Sequence, residues 1–187
     1  MNPAFAYIYD ELATDKKYER ELGNIETELS RCGIEGRIAR LGVFRQPQKM
    51  IEELTAAGAK NLIFVGNDQT ILRLMSCLPD IDATFGYIPL VSPSVLASVF
   101  GIPCGAKAVE VVAGRLIETL DVGKMDDRYF LTEVALPNTT AAVEVGGKYR
   151  VSPATKGSIG IRNLGSICVK GKSLADPKDG KLEIVIQ

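Results

Sequence analysis

Short apolar runs and amphipathic stretches alternate through the first two thirds of the chain. Residues 5–9, "FAYIY", form an apolar run that predicts a strand. Residues 15–31 carry Tyr18, Leu22, Ile25 and Leu29 at helical spacing and close on Cys32 and Gly33, which predicts a helix. The pattern repeats with a strand at 37–43, a helix at 48–58 after Pro47, the strand "NLIFVG" at 61–66 and a helix at 70–78. A fourth strand at 85–90, "FGYIPL", precedes a short helix at 92–101 and a longer one at 106–118. Such alternation predicts an α/β fold in three layers, a doubly wound parallel sheet with helices on both faces.

After Asp121 the texture changes to β patterns separated by Gly, Pro and Asn turns, among them "YFLTEVAL", "TAAVEVGGKYRV" and "KLEIVIQ". The chain therefore divides into an α/β nucleotide-binding-like domain, 1–122, and a β-rich antiparallel domain, 123–187.

Composition removes whole classes of function. The 22 basic and 23 acidic residues are spread along the 187-residue chain and leave a net charge of −1, so the basic stripe of a nucleic-acid binder is missing. No run has the length of a membrane span and the start lacks the order of a signal peptide, which predicts a cytoplasmic protein with no transmembrane segment. The four cysteines, Cys32, Cys77, Cys104 and Cys168, form no CxxC pair and read as reduced, mostly buried thiols. Histidine is absent, which excludes Ser-His-Asp and Cys-His nucleophilic sites and His-ligated metals. Chemistry must rest on carboxylates, lysines, hydroxyls and backbone.

The stretch "VGNDQT" ends a buried strand where ligands bind in open α/β sheets. Gly66 permits a tight turn, Asn67 and Asp68 suit a helix cap, Gln69 follows, and Thr70 offers a hydroxyl. A capped strand-to-helix turn is one reading and a ligand loop the other. Ser92 and Pro93 read as the N-cap and first turn of the next helix. Val95, Leu96, Val99 and Phe100 recur at helical spacing and predict a face packed inward, a lipid-contacting face being the alternative.

In order, these motifs resemble the diacylglycerol kinase catalytic domain family of lipid kinases, relatives of NAD kinase and sphingosine kinase. Gly66-Asn67-Asp68-Gln69-Thr70 stands where the family has Gly-Gly-Asp-Gly-Thr, and "FGYIPL" looks like its next strand. "VSPSVLASVFGIP", residues 91–103, stands in place of Gly-Thr-x-Asn-Asp-x-Ala and a following Gly-Ile-Pro. "ADPKDGKLEIVI", residues 175–186, looks like the family's Asp-Gly-x-Leu strand. The resemblance implies an NAD kinase/diacylglycerol kinase-like fold with an abbreviated β-sandwich. It implies ATP and Mg2+ as cofactors, a nucleotide and a lipid or small alcohol as partners, and a nucleotide site at Asp10, Gly66, Asn67, Asp68, Gln69, Thr70, Ser92 and Ser94. It also implies a hard cation at Asp176, Asp179 and the Lys181 carbonyl, although "DPKDGK" reads equally as a hairpin turn.

The departures from the family fall on the same motifs. Asp10 and Glu11 follow the first strand where the family has an Asn-Pro-x-Ser-Gly phosphate grip, and each carboxylate would repel a triphosphate. Asn67 and Gln69 replace two glycines that would let backbone approach phosphate. Only Ser92 and Ser94 match the polar residues of the second loop. In the family the chain continues past the last strand to an acidic general base; this sequence ends at Gln187, so the expectation is a base from a partner chain or from a residue such as Glu133, and a homo-oligomer or partner chain fits it. No residue is assigned a catalytic role. Three readings follow: a kinase-fold protein with weak nucleotide binding and little or no kinase activity, an active ATP-dependent lipid or small-alcohol kinase, and a non-enzymatic regulatory or scaffolding module.

Overall fold

The computed structural model describes residues 5–42, 46–75, 78, 81–126, 128–164, 168–169, 172–173 and 175–186. The chain divides into two compact units, Met1–Glu118 and Thr119–Gln187.

The first unit is built on one parallel sheet of four strands: β1 (Phe5–Tyr9), β2 (Gly36–Arg40), β3 (Asn61–Gly66) and β4 (Thr84–Pro89). Their order is β2-β1-β3-β4, with Phe5 opposite both Gly36 and Asn61, and Asn61 opposite Thr84. Strands β1 and β3 lie inside the sheet and are buried along their whole length, which is why their sequences are unbroken apolar runs and not alternating ones. Edge strand β2 is largely exposed and carries Arg37 and Arg40.

Among the described residues five α-helices accompany the sheet: α1 (Glu19–Arg31), α2 (Pro47–Ala56), α3 (Asp68–Leu74), α4 (Val95–Phe100) and α5 (Lys107–Gly114). Helix α1 buries Leu22, Ile25 and Leu29, the spacing read from the sequence, against Phe5, Tyr7, Tyr9, Ile63 and Val65, and Ala108 and Val109 of α5 join this layer. Ala6, Ile8, Leu62 and Phe64 alternate to the other face and are equally buried. Right-handed crossovers from β2 to β3 and from β3 to β4 put α2 and α3 on that second face. The three-layer, doubly wound α/β architecture is thus present.

Several element ends differ from expectation. Before α1 the chain makes two short 3-10 turns, Glu11–Thr14 and Lys16–Tyr18, capped by the Asp10 and Asp15 side chains, so the α-helix begins four residues later than its pattern. Strand β2 ends at Arg40, and Val43 lies outside the described residues. Helix α5 stops at Gly114 because Arg115 adopts a left-handed conformation (φ 50°), sends its guanidinium to Asn61 Oδ1 at 2.8 Å and lays it over the Phe5 ring at 5.8 Å. Leu116 and Ile117, expected on that helix, are exposed instead. Helix α4 buries Leu96 and Ala97 but leaves Val95 68% and Phe100 37% exposed, so the predicted inward face is only half realised. Cys104 is exposed, against the expectation of a buried thiol, and its Sγ–H donates to the Pro89 carbonyl at 3.1 Å. Among the described residues no helix is long and apolar enough to cross a membrane.

The second unit is antiparallel. Hairpin strands β5 (Gly123–Met125) and β6 (Arg128–Phe130) pair with each other, as do β8 (Val143–Val145) and β9 (Tyr149–Val151), and β11 (Cys168–Val169) and β12 (Lys172–Ser173). A three-stranded sheet runs β13-β10-β7, from β7 (Glu133–Thr139), β10 (Gly157–Arg162) and β13 (Glu183–Ile186). Its register places Arg162 between Glu133 and Glu183, and Ile161 between Val134 and Ile184, so one face is charged and the other aliphatic.

Candidate nucleotide site

The carboxyl ends of β1, β3 and β4 lie together, and backbone bonds carry the ladder one residue beyond them. The Asp10 N–H donates to the Val65 carbonyl at 2.9 Å and the Leu90 N–H to the Gly66 carbonyl at 2.7 Å. The chain reverses its winding between β1 and β3, so Asp10 and Gly66 stand at the switch point where this class of sheet opens a crevice.

Asp10 is almost fully buried there. One carboxylate oxygen accepts the Leu12 N–H at 2.8 Å, and the other accepts the Thr70 hydroxyl. Gly66 packs flat against this pair: a Cβ at position 66 would stand 2.6 Å from Asp10 Cβ and 3.0 Å from Thr70 Oγ1. The chain's own carboxylate therefore demands the glycine. Asn67 caps α3, its side-chain oxygen accepting the Thr70 N–H at 3.0 Å.

Asp68, the first residue of α3, turns its carboxylate toward β4 and α4. One oxygen accepts the Tyr87 hydroxyl at 3.0 Å and the Ser94 hydroxyl at 2.5 Å. The other accepts the N–H groups of Val95 at 2.8 Å and Leu96 at 3.3 Å. Burial pushes the Asp68 carboxyl pKa up, but the bonds from Ser94, Val95, Leu96 and Tyr87 outweigh it and hold the group below the usual carboxylate value. Burial, with the Asp68 charge adding to it, raises the Tyr87 phenol well above its ordinary range, so it stays a donor.

Ser94 is the true cap of α4, its Oγ accepting the Ala97 N–H at 2.9 Å. The expected cap at Ser92 is displaced because the helix begins at Val95, and Ser92 is exposed before it. Gln69 is exposed at the rim of an open groove of about 270 Å³ lined by Asn67, Asp68, Gln69, Val91, Pro93 and Ser94. The structure thus gathers Asp10, Gly66, Asn67, Asp68, Thr70 and Ser94 at one sheet end. Tyr87 was missed, although it is the one hydroxyl in the run "FGYIPL" and the register of that strand would have found it. The Val95 and Leu96 amides carry no sequence signal.

Four of the donors at this sheet end are already engaged within the chain. Thr70 gives its hydroxyl to Asp10 and its N–H to Asn67, while the Val95 and Leu96 N–H groups are turned to Asp68.

In the second unit, Asp176 and Asp179 each fold back on the loop. Asp176 Oδ1 accepts the Lys178 N–H at 3.1 Å, and Asp179 Oδ1 accepts the Lys181 N–H at 2.9 Å. The Gly180 N–H between them donates to Asp121 Oδ2 at 2.7 Å, and the Lys181 ammonium lies 4.0 Å from Asp179 Oδ2. Among the described residues no three carboxylate or thiol side chains converge as a metal cage. These bonds are those of consecutive Asx turns. Glu133 is engaged by Arg162, whose Nε–H donates to it at 2.6 Å.

A parallel sheet wound on both sides, with carboxylates gathered at its switch point and a β-rich unit following in the chain, defines a doubly wound α/β protein with its crevice at the carboxyl ends of the strands. The chain belongs to the diacylglycerol kinase catalytic domain family, whose sequence model matches residues 4–125. It is similar in structure to a diacylglycerol kinase from Bacillus anthracis str. Sterne, at 18% identity and a TM-score of 0.80, over 98% of this chain and 73% of that one. A second structure from that organism, provisionally described as a diacylglycerol kinase, gives 17% identity and a TM-score of 0.80 over 98% and 75% of the two chains. At these identities the likeness is one of fold. No curated protein sequence matches the chain.

Proposed function

We propose that this chain is a diacylglycerol kinase-fold protein of the cytoplasm whose nucleotide loop has been turned inward, leaving weak Mg-ATP binding and little or no lipid kinase activity. The observation that carries this reading is the double self-occupation of the loop. Asp10 sits on the Thr70 hydroxyl and Asp68 on the two leading amides of α4, so these three donors already serve carboxylates. An incoming triphosphate would meet two anions, at about 1 kcal/mol of repulsion per close pair in water and several times that in a drier cleft.

Calorimetry with Mg-ATP and a diacylglycerol phosphorylation assay in detergent micelles test the reading. Wild-type protein should show weak or undetectable binding and no turnover. Asn67→Gly with Gln69→Gly, which restores two glycines to the loop, should tighten Mg-ATP binding. It should cost roughly 0.5 to 1 kcal/mol of stability at each site through added backbone freedom. Robust phosphorylation by wild-type protein, abolished by Asp68→Ala, would instead establish an active lipid kinase, the reading that membership in a catalytic-domain family favours.

A further inference from the structure

Strand β2 leaves one side of its backbone unused. Among the described residues it pairs with β1 alone and forms one end of the four-stranded sheet. The Leu41 N–H donates to the Tyr9 carbonyl at 2.8 Å. Alternation along the strand therefore points the backbone groups of Arg37 and Ala39 toward β1 and those of Gly36, Ile38 and Arg40 outward. The strand is exposed at every position except Ala39, and Ile38 is 44% exposed. Arg37 shares a face with its register partner Ala6, and on that face a groove of about 270 Å³ opens between β2 and the carboxyl end of α2. Buried Ala6, Leu54 and Ala59 floor it, and exposed Ala57 and Arg37 rim it. Glu35 also lines it, its carboxylate already taking the Ser30 hydroxyl at 2.6 Å.

Charge on an edge strand guards it against indiscriminate pairing, and here it also selects a partner. Among the described residues no carboxylate oxygen lies within 4.0 Å of Arg37 or Arg40, or of Lys49 in the first turn of α2. A second copy of β2 would bring two more arginines to the same edge and be repelled. A strand bearing carboxylates would be drawn to it. An added strand puts each side chain on the face of the residue it opposes. Glutamates opposite Arg37 and Arg40 would meet one cation on each face of the sheet, with small apolar residues between them beside Ile38 and Ala39. An apolar side chain opposite Glu35 shares the Arg37 face and would enter the groove over Leu54 and Ala57. Main-chain bonds supply affinity and the flanking pocket supplies selectivity in this mode of recognition. We propose that the outer edge of β2 docks an extended acidic peptide segment of a partner protein, which adds a fifth strand to the sheet and seats one apolar side chain in the groove beside Arg37.

Fluorescence anisotropy with the full chain tests this. The probe is a fluorescein-labelled peptide whose core reads leucine, serine, glutamate, valine, valine, glutamate, made in both chain directions. One direction at least is expected to bind, and more weakly as salt is added. Ile38→Pro removes an outward N–H at an edge position, where proline is tolerated, and should abolish binding. Arg37→Glu should weaken it about tenfold, the effect of turning one close attraction in water into a repulsion. Ala57→Trp, which fills the groove from an exposed position, should weaken it by a similar factor. Unchanged far-ultraviolet circular dichroism and thermal midpoint would show that each variant is folded, and the two exposed substitutions carry the test alone should Ile38→Pro not fold. Absence of binding in both directions overturns the proposal, as does binding that a folded Ile38→Pro, Arg37→Glu or Ala57→Trp leaves intact. Equal binding by the peptide with prolines in place of its valines would also overturn it, since charge without strand pairing would then suffice. A concentration-dependent dimer in analytical ultracentrifugation that Ile38→Pro dissociates would overturn it by assigning the edge to a second copy. Strand β2 lies at the opposite edge of the sheet from β4, and the readout is peptide binding, so the result is independent of whether the nucleotide loop is active.

Discussion

Replacing Asp68 by alanine removes one acceptor group that serves four donors. The Tyr87 and Ser94 hydroxyls can turn toward water or to other acceptors, since Ser94 also caps α4 through its oxygen. The Val95 and Leu96 amides are fixed at the head of a six-residue helix and lose their partner outright. Loss of a helix cap costs about 1 kcal/mol, and each hydrogen bond to a charged group roughly 1.5 to 3 kcal/mol when its partner is left buried. Asp68 is half-exposed to the groove and water replaces part of that loss, so the expected cost is about 2 to 3 kcal/mol. Asp68→Asn keeps an acceptor but loses the charge and should fall near half of it. Urea denaturation followed by circular dichroism measures both, with an unchanged slope showing that the midpoint shift is a stability change. The pH dependence gives a second check. Because the folded pKa of Asp68 lies below its unfolded value, its contribution is present above pH ~4 and is lost as pH falls through the folded pKa. The gap between wild type and Asp68→Ala should therefore narrow below pH 4. A cost under about 0.5 kcal/mol at neutral pH would refute the argument, and so would a rise in stability on removing the charge, the behaviour of a carboxylate held strained for a ligand.

Gly66→Ala should cost about 1 to 3 kcal/mol, the usual range for overpacking, because its methyl would meet Asp10. Adding Asp10→Gly should recover part of that loss in a double-mutant cycle, and additive losses would show that the two do not share the space. Asp179→Asn should leave the melting temperature unchanged with and without chelator, because asparagine preserves the acceptor for the Lys181 N–H; a drop seen only without chelator would reveal a bound cation.

The sheet was legible because its inner strands are bare apolar runs and α1 has a clean helical period, features that follow from burial on both faces and on one. Helix ends were less so, since α5 ends where the Arg115 guanidinium finds Asn61, a partner 54 positions away that no local pattern encodes. The site was legible as a set of residues and not as a set of bonds. Gly66 and Asp68 read equally as a phosphate loop, and only the approach of Asp10 and the placement of α4 show which acceptors they serve. The second unit offered little beyond turn and strand signals, because its sheet is small and its strands are only partly covered.

The Arg115 anchor bears on how quickly anything could enter the crevice. It ties the end of α5 to the amino-terminal ends of β1 and β3, while Asp10 and Asp68 tie the carboxyl ends to their loops. Strands held at both ends do not splay to admit a ligand, so entry waits for a carboxylate to swing away. The apparent affinity then equals the intrinsic one multiplied by the fraction of molecules in the open state. If opening costs about 2 kcal/mol, that fraction is roughly one molecule in thirty. Entry is then gated by local fluctuation, and the association rate for any phosphate ligand would report the opening rate of the loop before it reported the chemistry of the ligand.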